Sequence, residues 1–331
     1  MEQHVEFLKL IGINKSTAHG AASKHIDLTQ SKGHRIAIAG ATGSGKTTLL
    51  KIIAGLIQPD SGRIYFEGKK VIGPEDQLMP GHKGIAYLSQ QFELPSYYTV
   101  ENILNYENRL SASKAQELYT LCRINDLLHR KTHELSGGEK QRIAMARVLI
   151  SNPRLLLLDE PFSNLDLQHK SIIKEVIADI EANLQVSFIL VSHEPLDILP
   201  WAHTILIMQE GQIIQQGQPD HVYQNPINEY AAGLLGSYNI IKAELATYLQ
   251  IPHRQPMVDN TLLIRPEHIL IRNKEINLPI GIVSRSFFYG SHYEMEIETN
   301  QATLRIKTPK MEFELGQIVS LQIASEHIIY I

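Results

Sequence analysis

The residues best suited to chemistry begin at Gly40-Ala41-Thr42-Gly43-Ser44-Gly45-Lys46-Thr47-Thr48, which fit the pattern G-x-x-x-x-G-K-[ST]. Glycines at 40, 43 and 45 let the backbone turn its N–H groups inward with no Cβ in the way of phosphate oxygens. A helix starting at the end of such a loop adds positive potential at the same place. Lys46 is then placed for β- and γ-phosphates and the Thr47 hydroxyl for Mg²⁺, so the stretch predicts a nucleoside triphosphate site. A second set of groups follows an apolar run: Leu155-Leu156-Leu157-Leu158 ends in Asp159-Glu160. Beside a phosphate loop, Asp159 is placed to hold the metal shell opposite Thr47, and Glu160 to act as general base on an attacking water.

These groups need strand ends to hold them. Arg35-Ile36-Ala37-Ile38-Ala39 reads as a strand feeding the loop, and the run from Thr48 to Ala54 as the helix leaving it. Residues 5–38 read as short strands, Arg63–Val71 as a hairpin after the turn Pro59-Asp60-Ser61-Gly62, and Gly84–Leu88 as another strand. Residues 99–150 read as helical; strands at 155–158, 188–191 and 204–208 follow, with a helix over 168–184. Strands and helices alternating around a phosphate loop predict an α/β fold with a mostly parallel sheet. From about Asn239 strand-like runs dominate, which predicts a second, small all-β domain.

Composition narrows the function classes. The chain has 331 residues, 43% apolar and 20% charged, with a formal net charge of −4, which offers no basic body for nucleic acid. Residues 240–331 hold nine Lys/Arg against ten Asp/Glu, so no basic face is implied there either. Cys122 is the single cysteine, which excludes an intrachain disulfide and a thiolate metal site. The start shows no basic segment followed by an apolar core, and apolar runs are too short to span a bilayer. The reading is a cytoplasmic protein that reaches membranes through partners.

Leu135-Ser136-Gly137-Gly138-Glu139-Lys140-Gln141-Arg142, opening a helix-like run, resembles the LSGGQ signature of ABC-type ATPases. Other elements match that family in order. Gln90 in Tyr87-Leu88-Ser89-Gln90 resembles the Q-loop glutamine, Ser163-Asn164-Leu165-Asp166 the D-loop, and His193 in Val191-Ser192-His193-Glu194 the switch histidine. The resemblance covers roughly residues 1–235. It implies ATP and Mg²⁺ as cofactors, with Thr47, Gln90 and Asp159 as metal ligands and Glu160, His193 and Gln90 in catalysis. It further implies that Ser136, Gly137, Gly138 and Asp166 serve the nucleotide of a second copy, in a head-to-tail homodimer. The family usually stacks adenine on an aromatic ahead of the loop; Ser16-Thr17-Ala18-His19-Gly20 has none, which leaves either His19 to stack there or the adenine held weakly, with the phosphates supplying most of the affinity.

The implied fold is a P-loop NTPase at 1–238 with a parallel sheet, an antiparallel β-subdomain and a helical subdomain at about 91–152. Leu263-Ile264-Arg265-Pro266-Glu267-His268 resembles a stretch of the OB/TOBE-like β-domain of importer ATPases, placed here at 239–331, with Arg265 read as half of an ion pair. The expectation is therefore the ATPase subunit of a binding-protein-dependent importer, peripheral on the cytoplasmic membrane face. Its partners would be two integral permease subunits and, indirectly, a substrate-binding protein. An exporter subunit and a soluble non-transport ATPase are the alternatives; a chromosome-structure ATPase would need a long coiled coil where only about 90 residues separate Lys46 from Ser136.

Overall fold

A computed structural model describes residues 6–17, 20–92, 94–251 and 261–331. The chain divides into two compact units, Met1–Pro219 and Asp220–Ile331.

The first unit opens with β1 (Leu8–Thr17) and β2 (Gly20–Gln30), paired antiparallel from Leu8↔Gln30 to Thr17↔Gly20. They are single long strands where the sequence suggested several short ones. β3 (Arg35–Ala39) leads to α1 (Lys46–Ile53), and β4 (Ser61–Phe66) and β5 (Lys69–Lys70) make the hairpin that completes an antiparallel sheet β2-β1-β4-β5. After β6 (Ile85–Leu88) the helical stretch is three helices: α2 (Val100–Glu107), α3 (Ala112–Leu121) and α4 (Gly137–Leu149). Caps break the expected continuous run: the Thr99, Ser111 and Ser136 hydroxyls each accept the N–H of a residue three further on. β7 (Leu155–Asp159), α5 (Leu167–Leu184), β8 (Ser187–Val191), α6 (Pro195–Ile198), β9 (Thr204–Gln209) and β10 (Gln212–Gly217) follow.

The second sheet of this unit has the order β10-β9-β3-β8-β7-β6; β9, β3, β8, β7 and β6 run parallel, and β10 is an antiparallel edge. β7 and β8 are buried at every position, as strands covered on both faces must be, and they are accordingly almost wholly apolar. Leu49, Leu50, Ile52 and Ile53 of α1 bury into the same core as Ile36 and Ile38 of β3 and Leu155 and Leu157 of β7. Ligands of open parallel sheets sit beyond the carboxyl ends of the strands. The ends of β3, β6, β7 and β8 bring Gly40, Gln90, Asp159–Glu160 and His193 to that edge.

The second unit contains α7 (Pro219–Gln224), α8 (Glu229–Leu235), β11 (Asn239–Ile241), α9 (Ala243–Tyr248) and β12 (Leu262–Ile264). The strands β13 (Ile269–Asn273), β14 (Ile280–Phe288), β15 (Tyr293–Glu298), β16 (Thr303–Thr308), β17 (Ile318–Ile323) and β18 (Ile329–Tyr330) complete it. They form two antiparallel sheets, β11-β12-β18 and β13-β17-β14-β15-β16, around Val283, Met295, Ile297, Leu304, Ile306, Val319 and Leu321. Within this unit α7 and α8 are bound to β12 through Arg265. That side chain, 1% exposed, donates to the carbonyls of Tyr223, Ala232, Gly236 and Ser237 and stacks over the Tyr223 ring at 4.1 Å. Arg265 is thus a clamp on backbone carbonyls, where the sequence suggested an ion pair.

Candidate active site

The loop between β3 and α1 is shaped by what surrounds it. A Cβ at Gly40 would collide with the Met208 carbonyl of β9, and one at Gly45, whose φ is +100°, with the Ala22 carbonyl of β2. Lys46 Nζ donates to Gly40 O at 2.7 Å, Ala41 O at 2.8 Å and, more weakly, Ser44 Oγ at 3.4 Å. Burial pulls the Lys46 pKa below the usual 10.5, while the charges of Glu160 and Asp159 pull the other way. Ala41, Thr42 and Gly43 are exposed, as is Thr47, and Thr48 is half-buried on the first turn of α1.

Asp159 is 3% exposed at the end of β7, and both its oxygens have donors: Thr47 Oγ1 reaches Oδ1 at 3.2 Å and the Tyr87 hydroxyl reaches Oδ2 at 2.9 Å. Glu160 takes φ +49°, a conformation non-glycine residues rarely adopt and one that marks sites where geometry outweighs backbone comfort. Its Oε2 gathers three side chains. Gln90 Nε2 donates at 3.1 Å, Ser163 Oγ donates at 2.9 Å, and His193 Nδ1 lies 3.6 Å away. Oxygen donors from Thr47, Asp159 and Gln90 are the hard-ligand chemistry that a magnesium ion takes.

Ser136, Gly137 and Gly138 are at the N-terminus of α4, and there Ser136 is engaged in its own helix. Its Oγ accepts from Glu139 N, and its N–H donates to Glu139 Oε2 at 2.7 Å, a reciprocal capping box. Burial raises the Glu139 pKa, but the bonds from Ser136 and the charges of Arg130 and Arg142 outweigh it and hold the carboxyl below its usual range. Asp166 caps α5 through His169 N at 2.8 Å, and its carboxylate also meets the His169 ring. That ring lies where a Cβ on Gly138 would stand, so one histidine meets both Gly138 and the residue capping α5. Gln141, fully buried, donates from Nε2 to the Pro161 carbonyl and ties α4 to the turn after Glu160. His19 lies outside the described residues.

The family model described as ABC transporter matches residues 23–163. Over 322 residues the chain is 33% identical to the Fe(3+) ions import ATP-binding protein of Serratia marcescens, covering 92% of this chain and 93% of that one. It is 28% identical over 347 residues to the spermidine/putrescine import ATP-binding protein of Clostridium acetobutylicum, covering 99% and 97%.

The chain belongs to the ABC transporter ATPases. Within them it groups with import ATP-binding proteins, whose length it spans almost end to end. Among solved structures it is similar to cbiO1 of Clostridium perfringens, part of an ABC transporter complex, with a TM-score of 0.59 and 28% identity over 66% of this chain and 90% of that one. It is also similar to the ATP-binding cassette MJ0796, solved as a dimer bound to ADP and Pi, with a TM-score of 0.56 and 26% identity over 64% and 98%. No helix among the described residues is long and apolar enough to cross a membrane.

Sequence reasoning did not assign Tyr87, Gln141, Ser163 or His169 to the site of this ABC ATPase. Their partners are set by strand register and helix packing, as Tyr87 shows. It pairs with Leu157 across parallel strands, and Asp159, two residues on, shares that face.

Proposed function

We propose that this chain binds and hydrolyses ATP to drive import of a small solute or ion through a membrane permease, and that Glu160 is the general base. The convergence of Gln90, Ser163 and His193 on Glu160 Oε2, beside the Asp159–Thr47 pair, supports this reading above any other observation. Gly40–Gly45 cradle the phosphates, and Lys46 exchanges the Gly40 and Ala41 carbonyls it now holds for phosphate oxygens. Thr47, Asp159 and Gln90 hold Mg²⁺, which when bound neutralises charge on the β- and γ-phosphates. Glu160 takes a proton from the attacking water while His193 and Gln90 hold the carboxylate and water in line.

Ser136, Gly137, Gly138 and Asp166 act on the nucleotide of a second copy in a head-to-tail homodimer; among the described residues Ser136 and Asp166 bond at the starts of their own helices, to Glu139 and His169. The homodimer sits beneath two permease subunits on the cytoplasmic membrane face, supplied by a substrate-binding protein. Relatives named for ferric ions and for polyamines support the importer reading.

Glu160→Gln tests it. ATP binding stays intact, turnover falls about 10³-fold, within the usual range for loss of a general base, and an ATP-bound dimer accumulates by light scattering. Rapid hydrolysis by this variant would remove Glu160 from the role.

A further inference from the structure

Asp159 is buried, so its two oxygens need fixed donors, and its side-chain donors are Thr47 and Tyr87. They are not equivalent. The Thr47 hydroxyl is itself a metal ligand in the function proposed above, so its oxygen turns toward an arriving cation. The Tyr87 hydroxyl, 2.9 Å from Oδ2, is the contact that can persist through that exchange.

The ring is anchored independently of the hydroxyl. It packs against the core shared by α1, β3 and β7, and Lys51 Nζ of α1 stands 5.9 Å from its centroid. Tyr87 is therefore held at one end by the helix that carries Lys46 and Thr47, and at the other holds Asp159.

We propose that Tyr87 is a positioning residue for the divalent cation: its hydroxyl sets the plane of the Asp159 carboxylate so that Oδ1 is presented beside Thr47. The proposal rests on the ATPase reading and deepens it, because outer-shell partners of ligating carboxylates govern how well the ligand is aimed.

The test uses the full chain saturated with a non-hydrolysable ATP analogue and titrated with Mn²⁺, free ion being read by electron paramagnetic resonance. Tyr87→Phe keeps the ring and removes only the donor. Its Mn²⁺ dissociation constant rises about tenfold, the lower end of the usual outer-shell loss, while analogue binding in EDTA is unchanged. In an Asp159→Asn background the same substitution adds no further loss, which a general packing role would not reproduce. Wild-type Mn²⁺ affinity in Tyr87→Phe would overturn the proposal, as would an equal loss in the Asp159→Asn background. A wild-type chain that took up no analogue at all would sink the ATPase reading instead.

Discussion

Lys46 and Arg265 are both buried cations that donate to backbone carbonyls, one in each unit, and they are held in opposite ways. The carbonyls on Lys46, Gly40 O and Ala41 O, belong to its own loop, five and six residues back, with exposed residues beside them and two carboxylates nearby. The carbonyls on Arg265 come from Tyr223 to Ser237, 28 to 42 residues away, and an aromatic ring covers the guanidinium. A buried charge costs several kcal/mol unless it is fully partnered, and the two sites meet that cost with different partners. Lys46 holds partners that it can exchange for a ligand. Arg265 holds segments of the chain to one another.

The largest effect that sharpens this contrast is Lys46→Ala. Turnover falls about 10³-fold and nucleotide affinity drops with it, while the melting temperature hardly moves, because the lost bonds to the Gly40 and Ala41 carbonyls are offset by removal of a charge that burial disfavours. A large loss of stability would make Lys46 a clamp too and break the comparison. Arg265→Met comes next: it costs about 3 kcal/mol, read by urea unfolding, because four carbonyls lose their donor, and nucleotide affinity stays at the wild-type value. Lost binding without lost stability would give Arg265 a place in the nucleotide site.

The smallest effect is a pH slope. The Lys46 pKa is lowered in the folded chain, so between that lowered value and 10.5 the unfolded chain binds more protons and stability rises with pH. Wild type therefore gains stability relative to Lys46→Met as pH climbs toward 10.5, measured by urea unfolding without nucleotide. Arg265, whose pKa burial lowers from 12.5, keeps its proton there and contributes no such slope.

Much of the site was legible in sequence because its groups stand at the ends of recognisable strands. Gly40–Thr48, Asp159, Glu160, Gln90 and His193 each follow an apolar run whose period marks a strand, and parallel pairing places such ends on one edge of a sheet. Ser163 was within a recognised stretch, yet its bond to Glu160 depends on a turn in which both Glu160 and Asn164 take positive φ, at 49° and 62°. His169 against Gly138 and Gln141 on the Pro161 carbonyl link helices α4 and α5 to the turn between β7 and α5, and no spacing rule predicts such a meeting. The grip of Arg265 on carbonyls between Tyr223 and Ser237, 28 to 42 residues away, is equally beyond any spacing rule.

The sequence by itself determined that there is a phosphate loop, an acidic strand end and a glycine-rich helix start in a fixed order. Those features are local, and backbone sterics and capping chemistry act within a few residues. Tertiary structure alone decided which oxygen of Asp159 faces Thr47 and which faces Tyr87, and which groups meet at Glu160 Oε2. Strand register and side-chain packing across long separations set those distances, and a change of one residue in register would turn Tyr87 to the other face of the sheet.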